Sequence, residues 1–585
     1  MKLVDAITLA TLASLVSAHP SPHSQRHEWW KEATVYQVYP ASFKESRGSN
    51  ATGFGDIKGI TSKLDHIQAV GADIVWLSPF YDSPLKDMGY DISKYDSVNQ
   101  VFGGSIQDIK DFIREVHRRG MRCIFDLVIN HTSDEHFWFK QSASSKTNTY
   151  RDWYFWRPPQ YKNGSIYPPN NWSGNNNGSA WKYDNSTGEY YLNVFNPFQP
   201  DLNWDNPVTR QAIFDYALTF WLKLGIDGFR MDAFSIFSKP AGLPSIPASD
   251  DGFYNGRPLF NDGPHEHQYL QQMNREALAG YDTFTVGEYG MTTNMSAIQK
   301  YVGASRQEVN TVFLTNMCDI GRDGYVPTPW NLTGWRDAIN FTQAVGSRAA
   351  GDGWNSIYLE NHDLPRSITR FANDAPEYRV QSGKLLSMLL TTLSGTLFVY
   401  EGQELGMINV PSNWTIDYYR DANSIAYYES VKENGGNLTE AMANLRALAR
   451  DNSRTPFNWN STGGFSTNST TWTPQAYQDT INLADQVGDP NSVYTFWKQM
   501  IKLRKKAKGL FVYGEFKFLD LESKAFLVYK KISGGRDAIV VLNFSEEAGI
   551  PPVNIPPGAK LIAQTHAHDC SDLTFEAYEG RVYAY

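Results

Sequence analysis

The stretch "LGIDGFRMDAF", residues 224–234, reads as a short apolar strand that nevertheless carries Arg230 and Asp232 two residues apart. Period two sends both side chains to the same face of the strand. Burying a guanidinium beside a carboxylate costs several kcal/mol unless something uses the pair. The same pattern, an apolar run ending in polar and mostly acidic residues, recurs along the chain. It appears in "VYQVYP" (35–40), "DIVWLSP" (73–79), "CIFDLVINH" (123–131), "TFTVGE" (283–288), "NTVFLTN" (310–316), "SIYLENHD" (356–363) and "GTLFVYEGQE" (395–404). With "GFRMD" (228–232) that makes eight.

Between these runs lie amphipathic segments. "SIQDIKDFIREVHRRG" stops at Gly120, and "NPVTRQAIFDYALTFWLKLG" starts with Asn206 as cap and Pro207 as first helical residue. Strands alternating with helices predict a parallel sheet, and eight such units predict an α/β fold, the (β/α)₈ TIM barrel, with functional residues at the C-terminal strand ends. Residues 132–205 are rich in Asn, Trp, Pro and Tyr and read as a small domain inserted after strand 3. A second insertion, roughly 408–480, follows strand 8. From about 508 the pattern changes to alternating strands with Gly and Pro turns, an antiparallel β domain expected to be a β-sandwich over 508–585. The barrel itself is then 19–131 and 206–507.

Hydrophobic residues make up 41% of the 585 and charged residues 20%, as in a folded globular chain. A net charge of −9 with no basic run argues against nucleic acid as a partner. The aromatic share of 14% is high, and rings that line a cleft suit the apolar faces of sugars. Residues 1–18 have a leading lysine, an apolar stretch too short to span a bilayer and a small-residue ending. They read as a secretory signal cut after Ala18, so the protein is expected outside the cell and off the membrane. Sequons at Asn50, Asn163, Asn171, Asn177, Asn185, Asn331, Asn413 and Asn543 point to N-linked glycans. Three cysteines (Cys123, Cys318, Cys570) leave room for one disulfide at most, and Cys123 reads as a buried strand residue.

The strand ends collect Asp126, Asn130, His131, Arg230, Asp232, Glu288, His362 and Asp363. A metal site is one use for such a set, but no H-E-x-x-H spacing occurs and Arg230 would intrude as a cation. "GPHEH" (263–267) reads as the start of a helix. The other use is double-displacement glycoside hydrolysis, which needs a nucleophilic carboxylate and an acid about 5 to 5.5 Å apart. Arg230 would keep Asp232 ionised as the nucleophile. Glu288, with no sequence-adjacent cation in "TVGEYG", would hold its proton and act as the acid.

"DLVINHTSDEH", "GFRMDA", "TVGEYG" and "LENHD" resemble the four ordered signature regions of the α-amylase superfamily, glycoside hydrolase family 13. "QPDLNW" (199–204), "YDISKY" (90–95), "GTLFVYEGQELGM" (395–407) and "RDNSRTPFNW" (450–459) are similar to its α-glucosidase and oligo-1,6-glucosidase branch. The resemblance implies Asp232 as nucleophile, Glu288 as general acid/base and Asp363 as the third carboxylate. It also implies that Asp91, His131, Arg230, His362 and Arg450 hold the non-reducing glucose, with Arg454 nearby and Tyr90 as a stacking face. The branch acts on short α-glucosides from their ends. Ala233, after the nucleophile, stands where Val accompanies α-1,6 preference in relatives, which leans the reading to maltase-type cleavage.

Two departures bear on the site. The loop "FKESRGSNATGFGD" (43–56) has few carboxylates where relatives carry a calcium loop, so no cofactor is expected and calcium is doubtful. Leu364 after "ENHD" is expected to reshape the acceptor side. A non-catalytic transporter heavy chain on this fold would have a membrane span and lack the carboxylates, the reverse of this chain. A transglucosylase would use the same catalytic residues with another acceptor, and an endo-acting amylase fits "QPDLNW" poorly.

Overall fold

The computed structural model describes residues 28–162, 164–174, 178–248, 250, 252–347, 351–567 and 572–585. The leader at 1–18, the sequons at Asn163 and Asn177, and Cys570 lie outside these residues. Eight parallel strands form one sheet: β1 (Thr34–Val38), β2 (Ile74–Leu77), β3 (Arg122–Val128), β4 (Gly228–Asp232), β5 (Phe284–Gly290), β6 (Thr311–Leu314), β7 (Ser356–Ile357) and β8 (Thr396–Tyr400). Their order is β6-β5-β4-β3-β2-β1-β8-β7, the cyclic order of a TIM barrel. The ladder opens only between β6 and β7. Side chains stitch that seam, with Ser356 Oγ donating to Val312 O at 2.6 Å and Thr311 Oγ1 to Trp354 O at 3.0 Å.

The helices form where the sequence pattern expects them. Ser105 caps Ile106–Arg118 by accepting the Gln107 N–H, and Ile109, Phe112, Ile113 and Val116 turn one face to the sheet. Asn206 likewise accepts from Val208 N ahead of Pro207. That second helix runs on to Leu224, but residues 214–219 widen into a π turn before Gly225 ends it with φ +102°. The glycine opening β4 has a steric reason: a Cβ on Gly228 would lie 1.8 Å from Phe284 O.

The segment after β3 contains a three-stranded antiparallel sheet, Trp156–Arg157, Glu189–Leu192 and Trp181–Asp184. It does not build its core alone. Phe155, Trp172, Trp181 and Leu192 cluster with Ile236, Leu243 and Phe260 from the connection after β4, a stretch the sequence reading assigned to the barrel. At the C-terminus, β9 (Glu515–Phe518), β10 (Phe526–Ser533), β11 (Arg536–Asn543), β12 (Lys560–Gln564) and β13 (Gly580–Ala584) make one antiparallel sheet in the order β9-β10-β11-β13-β12. Among the described residues this is a single sheet, where a β-sandwich was expected. The barrel helix Arg379–Thr392 takes the place of the second layer, so close that a Cβ on Gly580 would meet Met388 and Leu542 at 2.9 Å.

Cys123 and Cys318 are both buried free thiols. No helix among the described residues is long and apolar enough to cross a membrane. Asn50, Asn185 and Asn413 are exposed, as a glycan requires. Asn543 and Asn171 correct the sequon reading. Asn543 is buried and its amide donates to Glu547 O and Glu576 O, while the Asn171 amide donates to Ile246 O at 2.9 Å.

Candidate active site

β4 is the floor of the site. Its register sets Arg230 beside Asp126 of β3 and Val286 of β5, with Arg230 and Asp232 facing the barrel axis. Arg230 is 1% exposed and serves three carboxylates at once. Nη1 donates to Asp126 Oδ1 and Asp232 Oδ1, each at 2.8 Å, and Nη2 to Glu288 Oε2 at 2.7 Å. One planar fork therefore joins the two carboxyl groups of the expected nucleophile and acid.

This geometry corrects the electrostatic expectation on both counts. Glu288 has a cation partner after all, contributed by the neighbouring strand. Burial pushes the Asp232 carboxyl up, and the charges of Glu288, Asp126 and Asp363 push the same way against the pull of Arg230. A guanidinium divided among three acids does not hold one of them low.

Asp363 is treated differently. Burial alone would raise it, but the guanidinium charges of Arg450, Arg454 and Arg230 outweigh burial and hold it well below the usual range. Its Oδ1 accepts from Arg454 Nη2 at 2.8 Å and lies 3.3 Å from Arg450 Nε. Both arginines also approach Asp421 Oδ1, at 3.7 Å from Arg450 and 3.5 Å from Arg454. The insertion after β8 thus supplies the cations that keep this carboxylate charged.

His362 is packed between two rings, stacked on Tyr90 at 5.2 Å and on Tyr39 at 5.8 Å. Burial lowers its pKa to about 3, so the ring is neutral near pH 7. The Gln37 amide nitrogen donates to Ser78 Oγ and faces His362 Nδ1 at 2.7 Å. Nδ1 is therefore the acceptor, and Nε2–H donates to Tyr90 OH at 2.5 Å. Tyr90 in turn donates to Asp126 Oδ2 at 3.1 Å.

These groups surround a cavity of about 280 Å³ at the C-terminal strand ends. Of the sequence-derived set, Tyr90, His131, Asp232, Ala233, Glu288, Asp363 and Arg450 line it. Arg230, His362 and Arg454 stand behind the wall and position those that do. Ala233 holds φ +45°, a left-handed conformation that disfavours a branched side chain. Leu364 is buried and does not border the cavity, so it does not shape the acceptor side directly.

Asp91 is a correction. It is fully buried, and its carboxylate accepts from Ser83 Oγ at 2.9 Å and from the backbone N–H groups of Lys86 and Asp87. It shapes a turn and does not border the cavity. Asp87, four residues earlier, does border it, with Oδ2 accepting from Gln199 Nε2 at 2.8 Å. Burial lifts Asp87 to about 7 against the pull of Arg450. Sequence reasoning also missed Phe195, Arg257, Tyr289 and Asn423 on the wall. The signal for Gln199 was present in "QPDLNW"; Arg257 and Asn423 lie in connections with no motif of their own.

In the 43–56 loop, Glu45 accepts from the N–H groups of Thr52 and Gly53, and Asp56 from those of Ser46 and Gly59. At the other end of the barrel, His117, Cys123 and Asp227 bring three ligating atoms together. Asp227 Oδ2 already accepts the Cys123 N–H and faces His117 Nε2 at 2.8 Å. In "GPHEH", Glu266 accepts from Ser238 N and starts the helix Glu266–Met273, as its helical reading expects.

A profile of the α-amylase catalytic domain matches residues 37–514. An α-glucosidase of Candida albicans is 44% identical, over 95% of this chain and 99% of its own length. The oligo-1,6-glucosidase IMA2 of Saccharomyces cerevisiae is 43% identical, over 97% and 99%. Among solved structures, a variant of the isomaltulose synthase of Erwinia rhapontici NX5, in complex with its natural substrate sucrose, superposes with a TM-score of 0.88. That enzyme is 36% identical, over 95% of this chain and 99% of the other.

Proposed function

The chain belongs to the α-amylase family and is a glycoside hydrolase; from that premise we propose that it is a retaining, exo-acting α-glucosidase that releases glucose from the non-reducing end of maltose-type substrates. Asp232 attacks the anomeric carbon while Glu288 gives its proton to the departing glycosidic oxygen, leaving a covalent glucosyl-enzyme. Glu288 then takes a proton from water, the water oxygen attacks the same carbon, and the bond to Asp232 breaks. Asp363, kept ionised by its arginines, stabilises the positive charge that develops on the sugar ring. Asp87 and Arg450, both on the cavity wall, receive the hydroxyls of the glucose.

The observation that carries this reading is the Arg230 fork, which holds Asp232 at 2.8 Å and Glu288 at 2.7 Å on one guanidinium, side by side as the nucleophile and acid of a double displacement would stand. The cavity's modest volume supports action at chain ends. The reading includes no metal, since the carboxylates of the 43–56 loop are spent on backbone N–H groups. Transfer of the glucosyl unit to a second sugar is the alternative, favoured by the likeness to an isomaltulose synthase.

Product analysis on maltose, isomaltose, sucrose and soluble starch tests the proposal. Glucose should appear first from maltose, and starch cut internally before maltose is touched would overturn exo-action. Asp232→Asn should lower kcat by on the order of 10⁴-fold with the fold intact. A variant keeping most of its activity would remove Asp232 as the nucleophile.

A further inference from the structure

Three arginines at the catalytic cavity are ion-paired with protein carboxylates. Arg230 serves Asp126, Asp232 and Glu288, and Arg450 and Arg454 share Asp363 and Asp421. The fourth, Arg257, is different. Its guanidinium lines the cavity, yet no hydrogen bond or ion pair joins it to another described residue. Its one side-chain contact of note is the Phe195 ring, 5.8 Å away.

This is not a loose surface arginine. Its backbone sits on the short helix Arg257–Phe260, where Phe260 is buried against Trp172 at 5.1 Å. The preceding Gly256 is wedged so closely that a Cβ there would meet both rings at 2.9 Å. Arg257 is exposed, with its side chain open to the cavity, and the protein around it lowers its pKa. A guanidinium that faces a cavity with no protein partner has its paired donors free for a ligand.

Its position defines which end of the substrate it meets. Tyr289, next to Glu288, donates to Asp262 Oδ2 at 2.6 Å on the same connection that carries Arg257, and Glu288 is the first charge to act on Arg257, whereas Arg450 lies 3.3 Å from Asp363 and acts on Asp87. The cavity therefore has two poles. Asp87, Asp363 and Arg450 form one, and Glu288, Tyr289, Phe195 and Arg257 form the other. A general acid stands beside the oxygen it protonates, so the Glu288 pole faces the leaving group.

We infer that Arg257 is a specificity-determining residue of the leaving-group side, where its fork binds a pair of adjacent hydroxyls on a neutral sugar and Phe195 offers an apolar face beside it. The choice of a neutral diol follows from charge. Asp232 must be ionised to attack and Asp363 is held ionised by its arginines, so an anionic leaving group would meet two negative charges on the wall of the same cavity. A diol takes the fork's paired donors without adding charge.

This rests on the α-glucosidase reading, and two substrates keep the two apart. Maltose has a sugar as leaving group; 4-nitrophenyl α-glucoside has an aryl group with no adjacent hydroxyls. Arg257→Leu should lower kcat/KM on maltose about tenfold or more, chiefly through KM, because the leaving sugar loses its hydrogen bonds. The aryl glucoside should stay within about twofold. Arg257→Lys should recover only part of the loss, since it keeps the charge and lacks the fork. An equal fall on both substrates would overturn the inference by showing that Arg257 serves the reacting centre or the fold, and so would no fall on either. A wild-type preference for an α-glucoside with a carboxylate or phosphate on its leaving group, lost in Arg257→Leu, would overturn the neutral-diol assignment. Wild-type protein releasing no glucose from either substrate would instead sink the α-glucosidase reading itself.

Discussion

Two aspartates of "DMGYD" stand four residues apart and do opposite work. Asp91 spends its carboxylate on a turn, while Asp87 brings a buried acid to the cavity wall. Sequence spacing offers nothing to separate them, because the choice depends on which backbone N–H groups the folded turn leaves free. The same limit applies to Arg230, whose neighbour Asp232 was legible and whose third partner Glu288, 58 residues away, was not. Asp87 also makes a stability prediction. An unfolded aspartate titrates near 3.9, and the folded one is lifted to about 7 by burial. Between those values the native chain holds a proton that the unfolded chain has released, so Asp87 subtracts stability as pH rises through that window. Asp87→Asn removes the effect. Its melting temperature relative to wild type should therefore climb between about pH 4 and about pH 7 and level off above, and a difference that stays flat would mean Asp87 is ionised in both states.

At the scale of elements, the eight strands were readable as apolar runs with polar ends, and each is present in the sheet. What the runs did not reveal is how tightly β4 and β5 lock Asp232 and Glu288 together. Phe234, two residues past Asp232, lies fully buried against β5, and a Cβ on Gly287 would come within 2.5 Å of its ring. Gly287 precedes Glu288, so any side chain there must move either the acid or the segment carrying Asp232. Gly287→Ala should cost about 1 to 3 kcal/mol in denaturant unfolding through overpacking. It should also lower kcat by about tenfold or more, through displacement of the pair. Phe234→Leu in the same chain should recover part of both losses, because a smaller side chain reopens the space. If the double variant is no better than Gly287→Ala, the coupling between the strands lies elsewhere. The connection after β4 escaped the sequence reading for a related reason: its apolar residues are complementary to the 132–205 insertion and show no period of their own.

Across the whole molecule, barrel and C-terminal sheet share one core. Leu527, Tyr529, Val540, Leu542 and Val582 belong to the same hydrophobic cluster as the barrel strands. Arg336, on the barrel helix Leu332–Val345, is 2% exposed and donates to Leu521 O at 3.1 Å, Phe526 O at 2.8 Å and Ser523 O. Arg336→Leu strands those carbonyls and should cost on the order of 3 kcal/mol. With a shared core, the loss should lower one common unfolding transition, followed by tryptophan fluorescence and far-ultraviolet circular dichroism. A separate early transition for the C-terminal sheet would show that it folds on its own. The sequence by itself determined the barrel, its eight strands and the three acids at their ends, because hydrophobic period and strand-end polarity are local properties of the chain. Only the tertiary structure decided which aspartate meets the cavity, how one arginine is divided among three acids, and which arginine is left unpaired. Those depend on distances between residues remote in sequence, and the free energy of a charge is set by everything packed around it.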